Sequence, residues 1–142
     1  MARSLIQIDE TFLPLGQFRL VNRVAELEGE RIVCEIDVGP GHWVYPVHFP
    51  GDPIFPGAFI VEAAAQTALL WAWAQGLRGH PRMAKTSAEF HATVTPADRT
   101  LTARATVKRK RFLNFAAVEF YGAGGDHKAT VAMVVGVVGD EK

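Results

Sequence analysis

His48 and Glu62 stand at the two ends of the stretch HFPGDPIFPGAFIVE, residues 48–62. Between them lie three prolines, two glycines and a run of apolar side chains. An imidazole and a carboxyl group held on a stiff scaffold are the parts that general acid–base chemistry needs. Pro46, Pro50, Pro53 and Pro56 supply the stiffness, because each ring fixes a backbone angle and restricts the unfolded chain. Glu62 is flanked by Phe59, Ile60, Val61 and three alanines, with Gln66 four residues on. A carboxyl group in such surroundings is costly to ionise unless it finds a partner. Two readings are open: a structural hydrogen bond, with Gln66 one turn away, or an acid that keeps its proton and can donate it. Taken singly, His48 also has two readings, an ordinary loop histidine or a base.

A third group joins them. If a helix begins at Pro56–Gly57, the backbone N–H groups of Gly57, Ala58 and Phe59 lack intrahelical partners. With the helix dipole they can hold a developing oxyanion, and Gly57 has no side chain to block a carbonyl. The plain alternative is that Gly57 eases a turn. Base, acid and oxyanion donors together suit proton removal beside a carbonyl with loss of a neighbouring hydroxyl as water. Other chemistries find no support. His42, His48, His80, His91 and His127 are scattered, with no pair at metal-ligand spacing, so no metal or cofactor is expected. There is no phosphate-binding glycine loop, and neither the serines nor Cys34 sit in a nucleophile elbow.

The whole chain is consistent with a globular protein of one domain, residues 1–142. Fifteen basic and fifteen acidic residues cancel, which gives no reason to expect nucleic acid or a membrane surface as partner. Cys34 is the one cysteine, so an internal disulfide is impossible and a reducing, cytoplasmic setting is the expectation. The N-terminal MARSLIQIDETFL has no apolar run of signal-peptide length. AFIVEAAAQTALLWAWAQGL, residues 58–77, is long enough to cross a bilayer, but it carries Glu62, Gln66 and Thr67 and lacks flanking cations. A helix enclosed by protein fits better.

The elements that must position these groups follow from pattern. Residues 17–27 and 31–38 read as a hairpin joined through Glu28, Gly29 and Glu30. Residues 40–57 hold five prolines and read as irregular. The helix runs from Pro56–Gly57 to about Gly76, with Gly79 and Pro81 beyond. Leu101, Ala103, Ala105 and Val107 alternate with polar residues, as a half-buried strand does. Strands are expected over 114–122 and 128–138. The last, KATVAMVVGVV, is apolar on both faces, which implies core on one side and a partner subunit or loop on the other. One apolar helix and several short-connected strands suggest an α+β fold, an antiparallel sheet curled around the helix.

HFPGDPIFPGAFIVEAAAQ resembles the signature of the 3-hydroxyacyl-[acyl-carrier-protein] dehydratases of fatty acid synthesis. FRLVNRVAELEGERIV is similar to that family's first hairpin and FHATVTPAD to its later strand and turn. The resemblance implies a hotdog fold. It implies that His48 removes the proton at C2 of an acyl thioester and that Glu62 protonates the leaving hydroxyl at C3. It implies that the Gly57 N–H, with Ala58 beside it, binds the thioester carbonyl, and that Gln66 is the family's glutamine one turn after the acid, at the substrate site. In that family the two catalytic groups come from different subunits of a homodimer, often in a trimer of dimers, and the substrate arrives on acyl carrier protein. A branch that also isomerises the new double bond has aspartate at the acid position; Glu62 points to dehydration alone, although Gly51-Asp52-Pro53 resembles that branch.

The chain departs from the family pattern at Val47 and Ala97, where glycine is usual, and at LPLGQ, residues 13–17. These changes bear on substrate and assembly, and are compatible with a polyketide or polyene pathway. Lys108–Arg111, KRKR, reads either as a solvated strand end or as a docking patch for an acidic carrier protein. Trp71 and Trp73 read as packing or as the far end of an acyl tunnel, and Trp43 and Tyr45 as neighbours of a tunnel mouth. His91 receives no role. Two other functions compete with dehydration: an acyl thioesterase on the same fold, and a non-catalytic acyl-binding subunit.

Overall fold

The computed structural model describes residues 4–139; residues 1–3 and 140–142, the ends of the expected domain, lie outside the described residues. Six strands form one antiparallel sheet: β1 (Arg23–Glu28), β2 (Arg31–Asp37), β3 (His80–Phe90), β4 (Thr100–Lys110), β5 (Leu113–Tyr121) and β6 (His127–Val138). Their order across the sheet is β1-β2-β4-β5-β6-β3. Helix α1 (Gly57–Ala74) packs on the inner face against β2 through β6. This is the sheet curled around a helix that the pattern suggests, and the hotdog architecture that the family resemblance implies.

The alternation in β4 comes out as read, with Leu101, Ala103, Ala105 and Val107 facing the core. Ala116, Val118 and Phe120 of β5 and Ala129, Val131 and Met133 of β6 continue that face. Alanines of the sheet and Ala63, Ala64, Ala65, Ala68 and Ala72 of the helix are all buried in the shared core, and side chains this small let two layers approach closely. Among the described residues, α1 is the helix long and apolar enough to cross a membrane, and here the sheet encloses it. Trp71 is buried and its indole N–H donates to the Gly29 carbonyl at 2.9 Å, tying α1 to the β1–β2 turn. Gly29 takes φ +58° in that turn, a conformation that favours glycine. Trp73 packs edge-on to Phe12 and carries the Arg78 guanidinium over its face.

Two elements differ from expectation. The first strand begins at Arg23, not near residue 17, because a side chain of α1 takes the backbone groups of residues 18–21, as described below. Residues 80–90 form a full strand, β3, that pattern did not reveal. Most of its residues are exposed on both faces, and Pro81 lies within it, so its only strand-forming cause is the ladder to β6. The two sheet edges are treated differently. At β1, the Leu5 N–H donates to the Val24 carbonyl and the Val24 N–H to Ser4 Oγ, each at 2.9 Å. Among the described residues, no strand pairs with the outer edge of β3. The outer face of β6 is open: Ala132 and Val134, with Phe115 of β5, line a trough of about 500 Å³.

The turn before β4 is fixed by charge. Asp98 accepts from the Thr95 N–H at 2.9 Å, and Lys128 Nζ, nearly out of solvent, reaches the Thr93 carbonyl and Asp126 at 2.8 Å and Asp98 at 3.4 Å. Burial opposes the Lys128 charge, but Asp126 and Asp98 hold its pKa above the usual 10.5. This contribution is complete below the unfolded-state value and is lost as pH rises through the folded-state value. Lys128→Met should strand the Asp98 carboxylate and cost about 3–5 kcal/mol, read as a lower urea midpoint at unchanged slope. Lys128→Met/Asp98→Asn should recover part of that loss.

Candidate active site

Pro56 occupies the N-cap of α1 in an extended conformation, and no side chain caps the helix. The Phe55 N–H donates to the Val94 carbonyl at 2.8 Å, which pins the chain just before the helix. The Phe59 and Ile60 N–H groups both turn back to the Pro56 carbonyl. The Gly57 and Ala58 N–H groups have no partner among the described residues, as expected for the first turn of an uncapped helix. The space beside Gly57 is occupied, however. The Phe90 ring lies so close that a Cβ on Gly57 would stand 3.0 Å from its Cζ. A cavity of about 370 Å³ adjoins this contact, walled by Ile54, Phe55, Gly57, Ile60, Phe90 and residues 91–94.

His48 ends a short 3-10 turn, Tyr45–Val47, and its ring stacks on Phe49 with centroids 4.0 Å apart. Nδ1 lies 3.2 Å from the Ile54 carbonyl. A carbonyl can only accept, so that nitrogen carries the proton and Nε2 is left as an acceptor. The Ile54 residue that fixes the ring also walls the cavity at Gly57. Glu62 is half-buried in the second turn of α1, and its Oε2 accepts from Gln66 Nε2 at 2.9 Å. Among the described residues, His48 and Glu62 make no hydrogen bond or ion pair with each other.

Gln66 is 1% exposed and its amide is fully used. Oε1 accepts from the Leu20 N–H at 2.9 Å and the Val21 N–H at 3.1 Å; Nε2 donates to the Phe18 carbonyl and to Glu62. The amide therefore has no capacity left for the substrate contact expected of it, and it orients Glu62 instead. Nearby, Phe59 meets Phe18, Trp43 and Phe55 edge-on or tilted. Trp43 donates to the Gln17 carbonyl and the Tyr45 hydroxyl to the Val38 carbonyl, so both brace the loop before His48. His42 Nδ1 accepts from the Val44 N–H, and burial pushes its pKa down. Cys34 is buried, and burial pushes its thiol up to about 12, out of reach of nucleophilic work.

The departures at Val47 and Ala97 cause no backbone strain: both avoid the left-handed region. Lys108–Arg111 lies at the other end of the sheet from the helix start, where Lys108 pairs with Glu30 at 3.1 Å. His91 is held by Thr130 Oγ1 at 3.0 Å. Phe90 is the neighbour of Gly57 that the sequence did not reveal. No local spacing links two residues brought together only by the β3–β6 ladder.

A FabA-like domain model matches residues 13–131. A 3-hydroxyacyl-[acyl-carrier-protein] dehydratase FabZ of Syntrophobacter fumaroxidans is 36% identical over 97 residues, 66% of each chain. The Symbiobacterium thermophilum protein of that name is 50% identical over 50 residues, 34% of this chain and 35% of the relative. The chain thus spans about two thirds of the first relative's length and about a third of the second's. Among solved structures, S. sahachiroi AziG superposes with a TM-score of 0.67 at 20% identity, over 84% of this chain and 92% of that one. A hypothetical thioesterase from Streptococcus pneumoniae, solved with coenzyme A, gives 0.67 at 13% identity, over 84% and 88%. At these identities the structural likeness speaks for the fold.

Gln66→Leu should leave two buried N–H groups and one carbonyl unpaired and cost about 2–4 kcal/mol. Urea unfolding measures the loss. Faster proteolysis of residues 4–22 should accompany it, because the amide is one of the ties between that segment and α1.

Proposed function

Because the chain belongs to the FabA-like family, we propose that it dehydrates 3-hydroxyacyl thioesters to trans-2-enoyl thioesters, with His48 as base and Glu62 as acid. The observation that carries this reading is the division of labour in each group. His48 spends Nδ1 on the Ile54 carbonyl and keeps Nε2 free, while Glu62 spends Oε2 on Gln66 and keeps Oε1 free. A thioester carbonyl at the Gly57 and Ala58 N–H groups is polarised there, which acidifies the hydrogens on C2. His48 Nε2 takes one of them. As the C2=C3 bond forms, the C3–O bond breaks, and protonated Glu62 delivers its proton to the departing hydroxyl, which leaves as water. Gln66 positions the carboxyl and does not touch substrate. Glutamate in place of aspartate favours an enzyme that stops at the trans-2-enoyl product.

The acid and base that cooperate belong to different protomers in this proposal. The β3 edge from Pro81 to Phe90, which meets no further strand among the described residues, is a ready template for a second copy. Antiparallel pairing there would make a homodimer with a continuous sheet, and such pairs can group in threes. Exposed Val47, Phe49 and Phe18 around the site give that contact apolar surface. The substrate is delivered by acyl carrier protein in the cytoplasm, for fatty acid or polyketide synthesis.

Incubation with a 3-hydroxybutyryl thioester, following enoyl absorbance and free thiol together, tests the reaction. Enoyl product without thiol is expected, and thiol release alone would replace this reading by a thioesterase. His48→Ala and Glu62→Ala should each lower kcat by about 10²–10⁴-fold. Mixing those two inactive proteins under conditions that exchange subunits should restore about a quarter of the wild-type rate, since half the dimers are then mixed and each holds one intact site. No recovery would place both groups in a single-chain site.

A further inference from the structure

We propose that Phe90 is a specificity-determining residue, the wall that restricts the site to acyl thioesters unsubstituted at C2. The inference rests on the dehydratase reading and names the substrate class within it. Phe90 is the last residue of β3 and is 53% exposed in the single chain, so packing within that chain does not account for its position. Its Cζ, Cε1 and Cε2 lie 3.0, 3.2 and 3.4 Å from where a Cβ on Gly57 would stand. The ring edge therefore rests on the residue whose N–H is to hold the thioester carbonyl. Ile54, Phe55 and Ile60 form the other apolar walls of the adjoining cavity.

The distances decide what the ring can exclude. A carbonyl oxygen about 2.9 Å from the Gly57 nitrogen puts the carbonyl carbon one bond further and C2 a second bond further, within about 5 Å of that nitrogen. A methyl group on C2 then extends into the shell where the ring stands. An unbranched chain has only hydrogens on C2: one faces the ring, and the other is the hydrogen His48 removes. Substituents further along the chain lie beyond the ring's reach. Gly57 is thus a glycine for two reasons: a carbonyl must approach it, and Phe90 must lie against it.

The test compares kcat/KM for dehydration of 3-hydroxybutyryl and 2-methyl-3-hydroxybutyryl thioesters, each of which retains a removable hydrogen on C2. Wild type should favour the unbranched substrate by about 10–100-fold, the discrimination one methyl group allows. Phe90→Ala should narrow that ratio by about tenfold, mainly by raising kcat/KM for the branched substrate, and Phe90→Leu should narrow it less. If Phe90→Ala fails to fold, Phe90→Leu carries the same comparison. Independently, Gly57→Ala should lower the thermal midpoint in the wild-type background and not in Phe90→Ala, because the clash is with that ring. An unchanged ratio in both Phe90 variants, or a wild type indifferent to the methyl group, overturns the proposal while the dehydratase reading stands. Absence of enoyl product from both substrates removes that reading, and this inference with it.

Discussion

The Gln66 carboxamide sits where helix α1, the segment before β1 and the Glu62 side chain meet, and each of its polar atoms is committed twice. A buried amide in this state is worth more than its bonds taken singly, because losing it would leave backbone groups of another segment unpaired in a dry environment. It also makes local order and function inseparable. The amide that aims the Glu62 carboxyl is the same one that fastens residues 18–21 to the helix. A site residue anchored in this way has little freedom to drift, which is the condition for a proton to be delivered to one atom and not another.

His48 is governed by the same principle from the opposite side. Its ring is fixed by a backbone carbonyl in the proline-rich loop and by stacking on Phe49, so its orientation depends on the loop and not on Glu62. Acid and base are therefore held by separate supports. That independence lets two chains supply one site, because neither group needs the other in order to be positioned. The β3 edge from Pro81 to Phe90, which meets no further strand among the described residues, and the exposed aromatics near His48 are the features of this chain that a second copy would use.

The parts of this structure that were legible in the sequence are those with local causes. Helix α1 announces itself by Pro56–Gly57 at one end, Gly76 near the other and a long apolar run. The alternation of Leu101 through Val107 gives β4 its face, and the same reading carries into β5 and β6. What escaped has long-range causes. Residues 18–21 look like the start of a strand, but the Leu20 and Val21 N–H groups and the Phe18 carbonyl go to Gln66, more than forty residues away, and not to a ladder. β3 has no alternation to read, since neither of its faces is dry in one chain. Gln66 was visible as a neighbour of Glu62, yet nothing in its spacing tells that its other bonds are backbone ones. The contact between Gly57 and Phe90 depends on β3 and so was hidden with it.

The placement of β3 bears on the order of events during synthesis. Its only ladder partner is β6, with Phe90 opposite Ala129, so β4 and β5 intervene in the chain. At about 5–20 residues per second, translation of the roughly 40 residues between those two positions takes seconds. β3 is thus made seconds before the strand it pairs with, and its ladder can form only once β6 is available. The helix start and its aromatic neighbour therefore come together only after the final strand is threaded into place. A nascent chain stalled before β6 would present a bare helix and a loose ribbon, the species that chaperones hold and proteases remove.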